Sequence, residues 1–167
     1  IDAWISSYQP DLPKQDDPEF AVIDLCTTPV KLVANKNHPL AKKKNIFKQD
    51  LEAFPSLSLP TGWFPRTEAK LRSHGLWSTE ARMKKYKKEL WEGKTEDQTT
   101  LSYATCLGLE VMKNLTVIDY DLNLTSGESL VVKKNLIGHE KIQSLVSLLK
   151  RRIIEKAKIH NELIPCL

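Results

Sequence analysis

The chain has 167 residues, 41% of them hydrophobic, and carries 25 Lys and Arg against 21 Asp and Glu, a formal net charge of +4. This length and composition suit one ordinary domain or two small lobes, and they exclude a disordered tail. No apolar run approaches the roughly 20 residues that a membrane span needs. The chain begins at Ile1 rather than at methionine, and we expect it to be a fragment of a longer protein.

Cysteine usage indicates a reducing compartment. Cys26, Cys106 and Cys166 are far apart in the sequence, and none belongs to a Cys-x-x-Cys pair. The pattern favours neither a zinc site nor a disulfide framework. We therefore expect reduced thiols in a cytoplasmic protein.

The N-terminal part of the chain predicts two strands with a loop between them. Ile1–Ser6 and Phe20–Leu25 are short apolar runs of strand length. Between them, Ser7–Glu19 is rich in proline, aspartate and glutamine, which predicts a loop or a linker between lobes.

The chain is organised around the stretch from Leu25 to Gly75, in which four elements follow one another. A β-branched run over Pro29–Asn35 predicts a strand, and Lys48–Phe54 predicts a short helical turn. Ser56–Leu59 alternates as a second strand. A helix then begins at Pro65 and ends near Gly75, because proline suits the first helical position and glycine suits the residue after the last.

The start of this last helix predicts an anion site. Phe64 offers no capping oxygen, so the N–H groups of Arg66 and Thr67 are open to a ligand at the positive end of the helix dipole. The alternative is that Thr61 or water satisfies them. The side chain of Arg66 suits a carboxylate or a phosphate, and it is equally well read as an ordinary surface arginine.

Two segments in the middle of the chain stay ambiguous. Residues 81–91 fit a helix by the spacing of Met83, Tyr86 and Leu90, and they also fit an edge strand. Thr95-Glu96-Asp97-Gln98 has the pattern of a capping box and predicts a helix over about 96–105. A strand over 100–105 is the alternative, because Thr, Leu and Tyr favour sheets.

The C-terminal third predicts two strands and a long helix. Leu115–Tyr120 is a continuous apolar run, which predicts a strand buried on both faces. A loop over Asn123–Glu128 leads to a strand over Ser129–Lys133. From His139 onward, apolar residues recur at three- and four-residue spacing, which predicts an amphipathic helix.

The residues do not predict an enzyme. The four histidines are scattered, and none has the local spacing to a Cys, a Ser or a carboxylate that a metal or nucleophilic site requires. Asp119 and Asp121 could act as an acid–base pair, or they are solvated residues at a strand end. We expect no catalytic residue, no metal and no cofactor. The lysine clusters near 42–44 and 84–88 could contact nucleic acid, but we read them as solvated faces.

With its elements in this order, the chain resembles the effector-binding domain of LysR-type transcriptional regulators. The residues that carry the resemblance are the first strand, then His38-Pro39-Leu40-Ala41 followed by Asp50-Leu51, and a helix that ends in His-Gly-Leu. The chain departs from the family where Cys106–Glu110 replaces a Gly-Leu-Gly-Ile segment. The family's winged helix-turn-helix domain and the first half of lobe one are not in this sequence.

The resemblance implies an α/β, two-lobed periplasmic-binding-protein-like (type 2) fold in which one lobe is only partly present. Residues 1–7 and 123–167 would form the remainder of lobe one, and residues 8–122 would form lobe two. A small, anionic metabolite would bind between the lobes and control DNA binding by the absent domain, in a parent protein that is a homo-oligomer such as a dimer.

The resemblance also implies a set of effector-binding residues. Five residues carry over by their position in the family, namely Ser6, Ser7, Thr61, Gly62 and Trp63. We add Arg66 on physical grounds. Trp63 is alternatively a core anchor. Two other functions stay open, namely a solute-binding protein of the same fold and a cytosolic enzyme.

Overall fold

The computed structural model describes residues 2–10, 16–58, 65–77, 80–82, 93 and 97–166. The chain divides into two compact units: unit 1 comprises residues 1–29 and 125–167, and unit 2 comprises residues 30–124. None of the helices in the described ranges is long and apolar enough to cross a membrane.

Unit 1 is built on an antiparallel sheet of four strands. The strands are β1 (Ala3–Tyr8), β2 (Phe20–Pro29), β8 (Thr125–Lys133) and β9 (Ile164–Pro165), in the spatial order β1-β8-β2-β9. The central strand β8 pairs with β1 from Gly127 to Val132 and with β2 along its whole length. A bulge in β2 between Asp24 and Cys26 shifts the register of that ladder.

A helix of 18 residues accompanies this sheet. We label it α4 (Glu140–Ala157), and it forms where the apolar spacing predicts a helix. His139 is its N-cap, because the imidazole Nδ1 accepts a hydrogen bond from the Lys141 N–H at 3.3 Å. Glu140 in the first turn and Lys156 in the last complement the helix dipole.

The described residues of unit 2 include a mixed sheet of five strands. The strands are β3 (Lys31–Asn35), β4 (Ser56–Ser58), β5 (Glu80–Arg82), β6 (Leu101–Ala104) and β7 (Leu115–Val117), in the order β5-β4-β6-β3-β7. β4 is parallel to both of its neighbours, whereas β3 is antiparallel to β6 and β7.

Within the described residues of unit 2, three helices have defined bounds, together with a 3₁₀ turn over Pro39–Lys42. They are α1 (Lys48–Glu52), α2 (Pro65–Ser73) and α3 (Cys106–Val111). Apolar side chains of the helices and of the sheet form one buried cluster, whose most deeply buried members include Leu32, Leu51, Leu71, Leu101, Ile118 and Leu122. This core holds α2, the helix for which the sequence predicts a ligand contact.

The structure places the first unit boundary later than the sequence analysis does. The expected lobe two begins at residue 8, but the observed boundary is Pro29/Val30. The difference is β2, which joins unit 1 because it pairs along its full length with β8. The second boundary, Leu124/Thr125, lies close to the expected change at residues 122–123.

The helix expected over residues 96–105 is wrong, and the alternative strand is correct. Leu101–Ala104 forms β6, between β3 and β4. The Asp97 carboxylate accepts hydrogen bonds from the N–H and the hydroxyl of Thr99, both at 2.8 Å, and so closes a turn before the strand. Sheet pairing on both sides of β6 outweighs the local capping signal.

Two further expectations need correction. The strand expected over Leu115–Tyr120 is shorter, and β7 lies at the edge of its sheet with Val117 46% exposed, so it is not buried on both faces. The loop expected over residues 123–128 is also shorter, because β8 already begins at Thr125. Of the ambiguous residues 81–91, the first two belong to β5, and the others lie outside the described residues.

Candidate functional site

Three of the six predicted effector-binding residues lie in the described part of the chain. Arg66 is in unit 2, and Ser6 and Ser7 are in unit 1. The other three, Thr61, Gly62 and Trp63, lie outside the described residues, as does the connection from β4 into α2.

The first turn of α2 presents an exposed guanidinium. α2 begins at Pro65, as the sequence predicts, and Arg66 is exposed at its second position. Thr67, the next residue, takes part in an interaction within the protein. Because the partial positive charge of a helix is concentrated at its N-terminal turn, Arg66 adds a full charge where the helix already favours an anion.

Packing fixes the body of α2. Leu71 is fully buried in the core of unit 2. On the polar side, Arg72 forms an ion pair with Glu68 at 3.0 Å and donates to the Trp77 carbonyl oxygen, also at 3.0 Å. Trp77 in turn donates from its indole Nε1 to the Leu57 carbonyl oxygen of β4 at 3.0 Å. The helix is thus attached to the strand that precedes it.

The C-terminal end of α2 is a Schellman motif. The Leu76 N–H donates to the Leu71 carbonyl oxygen at 3.1 Å, and the Gly75 N–H donates to the Arg72 carbonyl oxygen at 3.0 Å. Gly75 has a φ of 82°, a conformation that residues with a Cβ rarely adopt. The end of the helix that His-Gly-Leu predicts is confirmed. His74 directly follows Ser73, the last residue of α2.

Both ring nitrogens of His74 form hydrogen bonds. Its Nδ1 lies 2.9 Å from the Tyr120 hydroxyl, and its Nε2 lies 3.1 Å from the Leu122 carbonyl oxygen. Lys70, one turn earlier on α2, donates to the Asn123 carbonyl oxygen. These contacts join α2 to the last residues of unit 2, and nothing in the sequence patterns indicates them.

In unit 1, the two predicted serines face opposite sides of β1. The Ser7 hydroxyl donates to the carboxylate of Glu128, at 3.1 Å from Oε1 and 3.0 Å from Oε2. The Ser6 carbonyl oxygen accepts from the hydroxyl of the buried Ser129 at 3.2 Å. Both serines thus take part in the β1–β8 pairing, where Ser6 is opposite Ser129 and Ser7 is opposite Glu128.

Glu128 is a feature of this region that the sequence analysis missed. Its expected place was a loop, but it lies in β8 between Ser7 of β1 and Cys26 of β2. Burial raises the pKa of its carboxyl group, and hydrogen bonds from Ser7 and Ser126 oppose that rise. Residues 125–128 are Thr, Ser, Gly and Glu, with no alternation of polar and apolar residues, so the sequence carries no signal for the longer strand, and the partner across the ladder was not predictable either.

The residues considered for catalysis have structural roles or exposed positions. Asp121 accepts the Asn123 N–H at 2.7 Å and so closes a local turn, while Asp119 is exposed. His38 and His139 cap helical turns, as their positions before Pro39 and Glu140 suggest. No group of His, Cys, Asp and Glu suited to a metal ion occurs within the described residues.

The positive charge of the chain belongs to unit 2. The sequence of residues 30–124 contains 16 Lys and Arg and 11 Asp and Glu, whereas the residues of unit 1 contain 9 and 10. A surface with an excess of one sign attracts ligands of the opposite sign. The excess of positive charge thus belongs to the sequence of the unit that contains Arg66.

Comparisons with known proteins show a shared fold at low sequence identity. No protein-family model and no curated protein matches the chain. A variant of the regulatory domain of MetR, a LysR family regulator from N. meningitidis, is 11% identical with a TM-score of 0.61, over 99% of this chain and 78% of that chain. Full-length BenM, in a variant form, is 18% identical with a TM-score of 0.60, over 100% of this chain and 54% of that chain. The effector binding domain of QuiR, in complex with shikimate, is 16% identical with a TM-score of 0.61, over 91% of this chain and 71% of that chain.

These comparisons confirm the predicted fold class. The chain has the α/β, type 2 periplasmic-binding-protein-like fold of LysR effector-binding domains. It spans about half the length of full-length BenM.

Proposed function

We propose that this chain is the ligand-sensing regulatory domain of a cytoplasmic LysR-type transcription factor. The observation that carries the proposal is the fold match over the whole chain to regulatory domains of LysR regulators. That one of the matching structures is a complex of QuiR with shikimate supports a ligand-binding role for the fold. Unit 1 would be the remainder of regulatory subdomain I, and unit 2 would be regulatory subdomain II.

The effector in this proposal is a small anionic metabolite. Arg66 lies exposed in the first turn of α2, in the unit with the excess of positive charge. A guanidinium can bind a carboxylate or a phosphate through two parallel hydrogen bonds, which gives orientation as well as affinity. Arg66 would therefore bind the acidic group of the effector.

The other proposed contacts are Thr61, Gly62 and Trp63, which precede α2, and the serines of β1. Ser7 already donates to Glu128, so an effector that contacts Ser7 must either replace that carboxylate as the acceptor or donate a hydrogen bond to the Ser7 hydroxyl oxygen. Ser6 is the simpler contact, since within the described part of the chain its hydroxyl makes only a long hydrogen bond of 3.4 Å to the Ser7 carbonyl oxygen.

DNA binding in this proposal belongs to a winged helix-turn-helix domain outside this chain. Full-length BenM has 46% of its length beyond the matched region, which is room for such a domain in a parent protein. The effector would act by shifting the population of two conformations of a homo-oligomer on DNA. The three structures compared above are all regulators, which favours this role over a solute-binding protein or an enzyme.

A thermal melt against paired ligands tests the proposal. The acids are shikimate, succinate, citrate and inorganic phosphate, and the methyl ester of shikimate and succinamide serve as uncharged counterparts. A ligand at a hundred times its dissociation constant stabilises by about 2.7 kcal/mol, which for a chain of this size raises Tm by about 5–10 °C. We expect at least one acid to produce this shift, and if that acid is shikimate or succinate we expect its uncharged counterpart to produce none.

Arg66→Ala and Thr61→Ala should abolish the shift. Arg151→Ala is the matched control, because Arg151 is another exposed arginine, on α4 of unit 1. A shift that persists in Arg66→Ala would mean that the acid binds elsewhere. A chain that none of the four acids stabilises would contradict an anionic effector of this class.

A further inference from the structure

The contacts of His74 define the tautomer of its neutral imidazole. The Leu122 carbonyl oxygen can only accept, so Nε2 of His74 carries the proton and donates to it over 3.1 Å. Nδ1 is then an acceptor, and the Tyr120 hydroxyl donates to it over 2.9 Å. The two rings are perpendicular, with centroids 5.5 Å apart. One imidazole thus connects the end of α2 with two successive points of the 120–122 segment.

The segment that His74 holds is the last one before the chain leaves unit 2. Leu122 is 1% exposed and anchors it in the core. Asn123 follows with a φ of 47°, in the left-handed region, and Lys70 of α2 donates to its carbonyl oxygen. The Leu124 carbonyl oxygen then accepts from the Val30 N–H at 2.8 Å. Val30 and Leu124 are the first and last residues of unit 2.

Hydrogen bonds therefore link α2 to residues 120–123. The hydrogen bond between Leu124 and Val30 extends this link to both ends of unit 2. Lys70 and His74 lie one helical turn apart on the same face of α2, because residues four apart share a face. The Schellman motif at Gly75 holds the end of the helix, so the backbone of His74 cannot move away from α2 without breaking the two hydrogen bonds of that motif. A displacement of α2 must then move residues 120–124 with it or break the bonds of Lys70 and His74.

We propose that His74 is a positioning residue that couples α2 to the connections at Val30 and Leu124, so that binding at the first turn of α2 is transmitted to the boundary of unit 2. The part that concerns binding rests on the proposed function. The coupling itself is a property of the free protein, and it can be measured with no ligand present.

Amide hydrogen exchange of the whole chain, followed by NMR, tests the coupling. His74→Asn places an amide near the position of Nδ1 but is too short to reach the Leu122 carbonyl oxygen. His74→Gln reaches that carbonyl oxygen and restores the donor. We expect exchange at the amides of Val30 and Asn123 to become about fivefold faster in His74→Asn, the factor that corresponds to one ordinary hydrogen bond, and to return toward the rate of the unmodified chain in His74→Gln.

Two controls separate this local effect from general destabilisation. Ser73→Ala changes the neighbouring residue, whose hydroxyl donates to the Lys70 carbonyl oxygen within the same helix, and should leave Val30 and Asn123 unchanged. The Leu101 amide, which donates to the Pro55 carbonyl oxygen at 2.9 Å, reports on the sheet and should exchange at the same rate in every variant. If His74→Asn does not fold, Tyr120→Phe removes a single hydroxyl and should accelerate the same two amides.

The same exchange experiment is repeated in the presence of any acid that raises Tm in the thermal melts. In the unmodified chain and in His74→Gln, we expect that acid to slow exchange both in the first turns of α2 and at Val30. In His74→Asn it should slow exchange in α2 only, with an unchanged dissociation constant. A role confined to stability would change the affinity or the overall exchange and would not separate these two responses.

The outcomes distinguish the two proposals. Equal exchange at Val30 and Asn123 in the unmodified chain, in His74→Asn and in Tyr120→Phe would overturn the coupling, whatever binds. Accelerated exchange with no stabilising ligand would leave the coupling supported and the anionic effector contradicted. A ligand response at Val30 that survives in His74→Asn would show that transmission does not pass through His74.

Discussion

The ring of Tyr8 lies directly against the backbone of Gly127. A Cβ built on Gly127 would lie 2.3 Å from Cζ of Tyr8 and 2.4 Å from Cε1. The two residues are opposite each other in the β1–β8 ladder, so the absence of a side chain at one position makes room for the aromatic ring at the other. Burial and the nearby charge of Asp24 raise the pKa of the Tyr8 hydroxyl to about 12.

Gly127→Ala should destabilise the protein, because the tyrosine ring has to leave its position. Overpacking of this kind costs about 1–3 kcal/mol, which lowers Tm by about 2–12 °C for a chain of this size. Gly138→Ala is the matched control, since a Cβ built there has no atom of the described residues within 4 Å apart from its chain neighbours. Equal melting temperatures for the two variants would contradict the packing of Tyr8 on Gly127.

His38 should make the protein less stable in mild acid. It is 3% exposed, its Nδ1 accepts from the Leu40 N–H at 3.0 Å, and burial lowers the pKa of the imidazole below its usual 6.5. The Thr99 carbonyl oxygen and the Asp97 carboxylate partly oppose that decrease. Because the unfolded chain takes up this proton at a higher pH than the native chain, the stabilising contribution is complete above about pH 6.5 and is lost as the pH falls through 6.5 toward the native pKa.

Urea unfolding at pH 7.5, 6.5 and 5.5 measures this effect. His38→Asn keeps an acceptor near the position of Nδ1 and does not titrate, so its free energy of unfolding should fall less over this range than that of the unmodified chain. Parallel pH dependence in the two proteins would show that His38 is not the group responsible.

Glu128→Gln should stabilise the protein at neutral pH. Burial raises the pKa of the Glu128 carboxyl above its usual 4.5. The native state therefore holds this proton more tightly than the unfolded state, and the associated stability, complete below about pH 4.5, is lost as the pH rises through the native pKa. Glutamine removes the charge and keeps an oxygen that can accept from Ser7.

Melting temperatures at pH 7 and pH 4 check this expectation. The gain from Glu128→Gln should be present at pH 7 and should shrink at pH 4, where the carboxyl is already protonated. Glu19→Gln, at an exposed position, should change neither value by a comparable amount. A loss of stability in Glu128→Gln at pH 7 would mean that the hydrogen bonds of the carboxylate outweigh the effect of its burial.

Elements defined by contacts between near neighbours in the sequence were predictable. α4 follows from its apolar spacing, and its cap at His139 follows from position. The end of α2 follows from Gly75, because few other residues accept a φ of 82°. Arg66 could likewise be assigned to the first turn of α2 from the sequence, since Pro65 indicates where that helix begins.

Elements defined by distant pairing were not predictable. β6 forms because β3 and β4 lie on either side of it, although the preceding residues carry a helix-capping pattern. β2 belongs to unit 1 because β8, about a hundred residues later, pairs with it along its length. Strand β8 also brings Glu128 to Ser7, although the two residues are 121 positions apart in the sequence.

The sequence by itself determined the two-lobed α/β fold class, the resemblance to LysR effector-binding domains, the limits of α2 and α4, and the exposed Arg66 at a helix start. Only the tertiary structure decided the unit boundary at Val30, the pairing of Ser7 with Glu128, and the attachment of α2 to residues 120–123 through His74 and Lys70. The physical reason is the range of the interactions. Helix caps and apolar periodicity act within four residues and are written locally, whereas strand pairing and side-chain contacts across a core depend on segments that only the folded chain brings together.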